Sequence, residues 1–379
     1  MKGKRILFVA NTAWSMRNFR MGLMKTLLAQ GCRVIVAAPY DVYSDKMTEA
    51  KIQMVHLRKL RASSANPFNE WAFYRELLTV YQQWQPDLIF HYTIKPNIYG
   101  VLAAKKLGIP TIAVTTGLGY VFTNRNLISL IGRWLYRYAL PKADRIWFLN
   151  REDQASFRMQ IHLQPEKMQL LPGEGIDTIS FKRRTPIDFN DTVFIFTGRM
   201  LYEKGVEVLV SAVRRLREKG YIFTCLLLGF TDIKNPSAIP REQLDRWQEE
   251  GLVTYLGSTD DVQPELEKAN CFVFPSYYSE GVPRSLLEAA SLEMPIITTD
   301  NVGCRDVVDD GMTGFIAAPK SIHSLTDKME QFLNLSISEK AKMGQLGRSK
   351  VETAFGEGQV ISIYLRSIAS LLKDKQVEV

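Results

Sequence analysis

Short, almost unbroken apolar runs alternate with longer stretches of helical periodicity along both halves of the chain. In the first half, residues 5–10, 33–38, 87–91, 111–115 and 145–149 read as strands buried on both faces, because a strand covered on both sides has no polar face to alternate. Helical spacing lies between them at 17–30, 69–85 and 97–107, and Gly31 suits the position that ends the first helix. The second half repeats the alternation, with strands at 192–196, 222–228, 252–256, 271–274 and 295–298 and a helix at 205–219. Strand–helix alternation of this kind predicts parallel sheets with helices on both faces. The fold class is α/β: two doubly wound, Rossmann-like domains facing each other across a cleft. We place the first at 1–170, a Gly-, Pro- and charge-rich linker at 171–190, and the second at 191–358. A final helix in 359–379 packs back on the first domain. A ligand is expected at the carboxyl ends of the strands.

A chain of 379 residues, 46% hydrophobic, has enough material for two cores. No apolar run approaches the roughly 18 residues of a spanning helix. The opening M-K-G-K-R-I-L-F-V-A-N is too short in apolar residues for a signal peptide and reads as the first strand. Four cysteines without C-x-x-C spacing point to a reduced, cytoplasmic protein. The net charge of +8 conceals an asymmetry. Residues 1–187 carry 27 Lys and Arg against 12 Asp and Glu, and the remainder carries 21 against 28. A basic half suits an anionic partner: anionic lipid, a pyrophosphate-linked substrate or nucleic acid. A merely soluble basic domain is the plain alternative.

The chemistry concentrates in residues 276–288, S-Y-Y-S-E-G-V-P-R-S-L-L-E. Glu280 and Glu288 flank a turn that leaves a strand and opens a helix. Gly281 lets the backbone approach a ligand, and Pro283 suits the first helical position. A helix N-terminus there offers free N–H groups to an anion, and the carboxylates accept from sugar hydroxyls. T-G-R-M-L-Y-E-K-G, residues 197–205, follows the first strand of the second domain. Gly198 permits a tight turn, Arg199 presents a planar fork to phosphate oxygens, and Lys204 presents a compact charge. The plain reading of this loop is a solvated connection. In N-V-G-C-R-D-V-V-D-D-G-M-T-G-F, residues 301–315, Gly303 is a candidate to line the cleft, while Gly311 and Gly314 serve turns. Leu228 and Gly229 end a strand where a base or ribose fits.

In the first domain the loop 11–20 holds the place of a phosphate turn but lacks glycine, which counts against a dinucleotide fingerprint. H-Y-T-I-K-P-N-I-Y-G, residues 91–100, is polar at a strand's end, so His91 is a candidate sugar contact and Lys95 a phosphate partner. T-T-G-L-G-Y, residues 115–120, adds Thr116 and Gly117 as ligand-lining candidates. The four histidines show no ligand spacing and no D-x-D pair occurs, so no metal site and no cofactor are expected. Residues 124–145 mix Leu127, Ile128, Leu130, Ile131, Trp134, Leu135 and Tyr138 with Arg125, Arg133, Arg137 and Lys142. The pattern fits a helix resting on a membrane surface and fits equally a helix with its apolar side in the core.

Taken together, Gly198-Arg199…Lys204-Gly205, Pro275-Ser276…Glu280-Gly281-x-Pro283…Leu287-Glu288-Ala289 and Thr299-Asp300-x-x-Gly303 resemble glycosyltransferase family 4, retaining enzymes of the GT-B fold. The resemblance extends from the first strand to at least Phe315. The segments H-Y-T-I-K-P-N-I-Y-G and T-G-L-G-Y are similar to a bacterial subgroup that adds a hexose or N-acetylhexosamine to an undecaprenyl-diphosphate-linked sugar for capsule, O-antigen or N-glycan assembly. By this resemblance Arg199 and Lys204 bind the donor diphosphate and stabilise its departure. Glu280 orients the donor sugar, Glu288 accepts from the ribose, and the N–H groups at Gly281 and Val282 approach phosphate or sugar, with Gly198 in the same nucleotide-sugar site. The implied donor is a UDP-N-acetylhexosamine, and the implied acceptor a lipid-diphosphate sugar at the inner face of the cytoplasmic membrane, where the enzyme is peripheral. The chain departs from the family where many members carry a glycine pair, at Asn11 to Ser15, and where many carry a sugar-contacting histidine, at Thr116. A UDP-sugar 2-epimerase of the same fold and a non-catalytic sugar-nucleotide-binding protein are the alternatives. Nucleic acid is not an expected partner, since no RNA-binding signature accompanies the basic half.

Overall fold

The computed structural model describes residues 1–61, 66–117, 127–161, 163–231, 235–278 and 281–377. The chain divides into two compact units, Met1–Glu174 with Glu357–Val379, and Gly175–Gly356.

In the first unit the order is β1 (Arg5–Val9), α1 (Ala13–Ala29), β2 (Arg33–Ala38), α2 (Ser44–Glu49), β3 (Gln53–His56), α3 (Pro67–Trp84) and β4 (Leu88–Tyr92). One turn of π-helix, Pro96–Gly100, leads into α4 (Val101–Lys106). Then follow β5 (Thr111–Thr115), α5 (Leu127–Ala139), β6 (Arg145–Phe148), α6 (Arg151–Ile161) and β7 (Met168–Leu170). The sheet is parallel in the order β3-β2-β1-β4-β5-β6-β7. Its strand order reverses between β1 and β4, and ligands of doubly wound sheets bind at such a reversal. α1 begins four residues before the expected Arg17, because the Thr12 hydroxyl accepts from the Ser15 N–H at 3.2 Å and caps it.

The last helix, α14 (Glu357–Val377), belongs to this unit. Val360, Tyr364, Ile368, Leu371 and Leu372 are buried along one side of it. The Tyr364 ring meets Trp147 edge-on at 4.6 Å, and its hydroxyl lies 3.0 Å from that of Tyr92. Arg20, 3% exposed, stacks its guanidinium 3.9 Å from the Tyr92 ring centroid and pairs with Glu174. This buried cluster fastens α14, β4 and α1 together at the residue where the chain leaves the unit.

The second unit runs β8 (Val193–Thr197), α7 (Val206–Glu218), β9 (Thr224–Leu228), α8 (Arg241–Glu249), β10 (Thr254–Tyr255), α9 (Gln263–Leu266) and β11 (Cys271–Phe274). It continues with α10 (Arg284–Ser291), β12 (Ile296–Thr299), α11 (Cys304–Val307), β13 (Gly314–Ala317), α12 (Ile322–Leu333) and α13 (Ile337–Ala354). The parallel order is β10-β9-β8-β11-β12-β13, the same winding as the first sheet, with its reversal between β8 and β11. Residues 175–190 form no separate linker. Ile176 and Phe189 are buried in the second core, and the Arg183 guanidinium donates to the carbonyls of Glu267 (2.6 Å) and Ala269 (3.1 Å). Gly314 serves no turn, since it opens β13, where an added Cβ would stand 2.0 Å from the Ile296 carbonyl oxygen.

Candidate functional site

β8 and β11 pair side by side through Phe194↔Cys271 and Ile195↔Phe272, so the loops leaving them emerge together at the reversal. The first loop turns at Gly198, runs through a short 3-10 turn at Tyr202–Lys204, and reaches α7 through Gly205 at φ +77°. The second leaves β11 at Pro275 and enters α10 with Pro283 as its extended cap, one position before the helix rather than inside it. The two loops are bonded to each other. The Glu203 carbonyl accepts from the N–H groups of Tyr277 (3.0 Å) and Tyr278 (3.2 Å). Gly205 packs so closely that a Cβ there would lie 2.1 Å from the Pro275 oxygen. Gly229, ending β9, meets Gly198 in the same manner, at 1.7 Å from its oxygen.

The end of β12 and the loop after it strap this pair. Thr298 Oγ1 donates to the Phe274 carbonyl at 2.8 Å and Thr299 Oγ1 to that of Ser276. Asn301 Nδ2 donates to the Tyr278 carbonyl at 2.6 Å. The turn that carries the acidic motif is therefore held from both neighbouring strands. Glu280 itself lies outside the described residues.

Lys204 is 9% exposed, with Nζ 5.2 Å from the Phe274 ring centroid and 5.8 Å from that of Tyr278. Aromatic faces at that range attract a cation and withhold water from it, which strengthens its pull on an incoming anion. Arg199, at the tip of the same loop, is exposed. Gly281 and Val282 are buried beside the α10 cap. Glu288 Oε1 accepts from Arg284 Nε at 2.9 Å. Burial raises the Glu288 carboxyl above its ordinary value, against the opposing pull of Arg284. The i,i+4 spacing makes that pair readable in the sequence. Asn301, inside the Thr299–Gly303 segment, carries no such local signal.

The first-unit candidates fare differently. His91 is fully buried in β4, with Nε2 2.8 Å from the Tyr81 hydroxyl and Nδ1 2.7 Å from that of Thr111. Burial lowers its pKa to about 3, so it is a neutral core residue tying α3, β4 and β5 together rather than a sugar contact. Lys95 Nζ is engaged by Glu70 Oε1 (2.6 Å) and the Arg61 carbonyl (2.5 Å), and its charge is already paired rather than offered to a phosphate. Thr116 and Gly117 follow β5, half-buried, and residues 118–120 of their motif lie outside the described residues. Thr93, the residue after β4, holds a left-handed φ of +72°. A β-branched residue adopts that conformation only under constraint, and such positions gather at functional loops.

Two family models match the chain. The glycosyl transferase 4-like domain covers residues 16–174, and glycosyl transferases group 1 covers residues 191–335. The chain is 27% identical to the N,N'-diacetylbacillosaminyl-diphospho-undecaprenol alpha-1,3-N-acetylgalactosaminyltransferase of Campylobacter jejuni, over 98% of this chain and 100% of that protein. Among solved structures it is similar to a glycosyltransferase from Rickettsia africae, with a TM-score of 0.81 and 18% identity over 98% of this chain and 100% of that one. It is also similar to Anabaena HepE in complex with UDP, with a TM-score of 0.80 and 16% identity over 98% and 100%. These likenesses give both units the GT-B type of architecture. With a 4-like domain followed by a group 1 domain between residues 16 and 335, the chain is a glycosyltransferase.

Proposed function

We propose that this glycosyltransferase moves an N-acetylhexosamine from its UDP-sugar, with retention of configuration, to an undecaprenyl-diphosphate-linked saccharide in surface polysaccharide or glycan assembly. It acts as a peripheral protein at the inner face of the cytoplasmic membrane. The observation that carries this reading is the bonding of the Gly198–Gly205 loop to the acidic turn at the β8/β11 reversal, where doubly wound sheets bind ligands. The Campylobacter relative's lipid-diphosphate acceptor and the UDP held by the Anabaena neighbour support the substrate classes.

In this reading Lys204 and Arg199 hold the diphosphate, with the N–H groups at Gly281 and Val282 and the backbone at Gly198 completing its cradle. Glu288 accepts from the ribose hydroxyls, and Glu280 from hydroxyls of the donor sugar. As the bond from the anomeric carbon to the diphosphate breaks, charge grows on the departing oxygen, where the two cations stabilise it. The acceptor hydroxyl attacks that carbon from the same face and its proton passes to the leaving phosphate. Thr116 and Gly117 remain the first-unit positions for acceptor contact.

The test is UDP release from a panel of UDP-sugars, with and without a short undecaprenyl-diphosphate-sugar analogue. Acceptor-dependent release from one UDP-N-acetylhexosamine is the expected result. Release from no donor, or acceptor-independent conversion of the sugar, would remove the reading.

Glu288 gives a second, pH-based check. Its raised pKa means that the folded site keeps a proton to higher pH than a free carboxyl does. As pH falls through that raised value the carboxylate is lost as an acceptor, so the donor KM rises on the acid side while kcat stays level. Glu288→Gln is expected to raise KM about ten-fold at neutral pH, the worth of a charged hydrogen bond at ~1.5 kcal/mol, and to abolish the acid step. An acid step unchanged in the variant would assign it to another group.

A further inference from the structure

We infer that Trp14, with Tyr40 and Asp41 beside it, forms a sugar-binding subsite at the carboxyl end of the first sheet, taking a neutral ring of the acceptor saccharide. The inference rests on the proposed reading for the identity of its acceptor, and it adds to Thr116 and Gly117 a part of the first unit with its own chemistry.

The three residues lie in the segments that follow β1 and β2, and β1 borders the reversal with β4. Trp14 sits in the first turn of α1 and is 42% exposed. Phe19 meets its ring edge-on, with centroids 5.5 Å apart and planes at 84°, which orients the indole. The Trp14 backbone N–H donates to Asp41 Oδ2 at 3.0 Å and fastens the two segments together. The indole is therefore held in place and still open to a ligand. Among the described residues its Nε1–H has no hydrogen-bond partner. Tyr40, 56% exposed, precedes Asp41. Its hydroxyl donates to Asp45, and its ring lies 6.0 Å from that of His56, so this second aromatic is anchored too.

The chemistry selects a sugar over a phosphate. A doubly wound unit commonly offers the start of its first helix to an anion. Here the protein's own groups fill that place. Asp41 takes the Trp14 N–H, and the Thr12 hydroxyl takes the Ser15 N–H at 3.2 Å. A diphosphate would meet a negative charge where it needs donors. The same carboxylate suits hydroxyl groups. Oδ2 accepts from Trp14 and Oδ1 from Tyr43 at 2.9 Å, which leaves each oxygen with acceptor capacity to spare. A pyranose offers an apolar C–H side, ring and hydroxyl oxygens that accept, and hydroxyls that donate. An aromatic face, an indole N–H and a half-used carboxylate answer those three features.

The experiment is calorimetric binding of two probes to the full chain: a short-chain prenyl diphosphate carrying one N-acetylhexosamine, and the same prenyl diphosphate without sugar. The wild type is expected to bind the sugar-bearing probe about ten-fold more tightly, the upper worth of one aromatic contact. Trp14→Ala should reduce that preference to within about two-fold and leave affinity for the bare probe unchanged. Trp14→Phe keeps a ring against Phe19 but loses the N–H, and its preference should fall between the two. Circular dichroism is the folding control. In transfer assays Trp14→Ala should raise the acceptor KM about ten-fold with the donor KM level. Equal binding of the two probes by the wild type, binding of neither, or a preference intact in Trp14→Ala overturns the inference. So does weaker binding of the bare probe by Trp14→Ala, which would make the residue a diphosphate or lipid contact. A raised donor KM also overturns it, by giving the indole to the donor sugar. A preference that Trp14→Ala abolishes, in a protein that uses no UDP-sugar, removes the functional reading and leaves the subsite standing.

Discussion

A Lys204→Ala variant is expected to fold and to lose about 10²–10³ in kcat, the range seen when one preorganised donor to a developing charge is removed. The size follows from where the ammonium sits. It is 9% exposed, between the Phe274 and Tyr278 rings, on a loop fixed to the neighbouring turn by the bonds at Glu203. Bulk water screens such a charge poorly, so its effect on a departing diphosphate exceeds that of a surface lysine. Exposed Arg199 should matter less, with about ten-fold loss in Arg199→Ala. Lys204→Arg should not restore the rate, because a planar fork does not fit a slot shaped around a compact ammonium. Acceptor-dependent UDP release, with circular dichroism as the folding control, measures all three. Turnover near wild type in Lys204→Ala would take the residue out of the chemistry.

Sheet interiors were legible because a parallel strand buried on both faces is a continuous apolar run, as in β1 or β11. The edges were not. β3 is Gln-Met-Val-His and β7 is Met-Gln-Leu, with no fully buried position in either, so neither stands out from a loop. β13 was hidden by Gly314, because a glycine demanded by close strand packing looks the same in sequence as one demanded by a turn. The site divides along a similar line. Arg199, Lys204, Gly281 and Glu288 stand out as candidates in the sequence because strand, loop and helix start follow one another within a few residues. Asn301 reaches the acidic turn from the next strand, a relation that local spacing does not encode.

His91 was misjudged for the opposite reason. A polar residue ending an apolar strand resembles a ligand contact. Its partners Tyr81 and Thr111 lie 10 and 20 residues away in sequence, and only the folded chain shows that they use both ring nitrogens. The membrane question for α5 could not be decided from composition either, since the same residues suit a core helix. The outward direction of Trp134 and Tyr138 is a tertiary fact.

Gly205→Ala is expected to damage stability and turnover together, because this glycine is where the two loops of the candidate site touch. Two costs add. The backbone there has φ +77°, a left-handed conformation that costs a residue with a Cβ about 1–2 kcal/mol. The new methyl would also stand 2.1 Å from the Pro275 carbonyl oxygen, and backbone gives way less readily than a side chain. Overpacking of that kind costs about 1–3 kcal/mol, for a total near 2–5 kcal/mol. Relieving the contact moves the Gly198–Gly205 loop away from Pro275, where the second loop leaves β11. That displaces Lys204 relative to the donor, and a shift of about 1 Å in a catalytic group can cost a hundred-fold in rate. Gly220→Ala separates the two costs. Gly220 has φ +90° but nothing within 4 Å of its added Cβ, so it incurs the backbone term alone, about 1–2 kcal/mol, with turnover unchanged. Thermal unfolding and acceptor-dependent UDP release on both variants make the comparison. Equal losses in the two would show that the contact with Pro275 does not hold the site together.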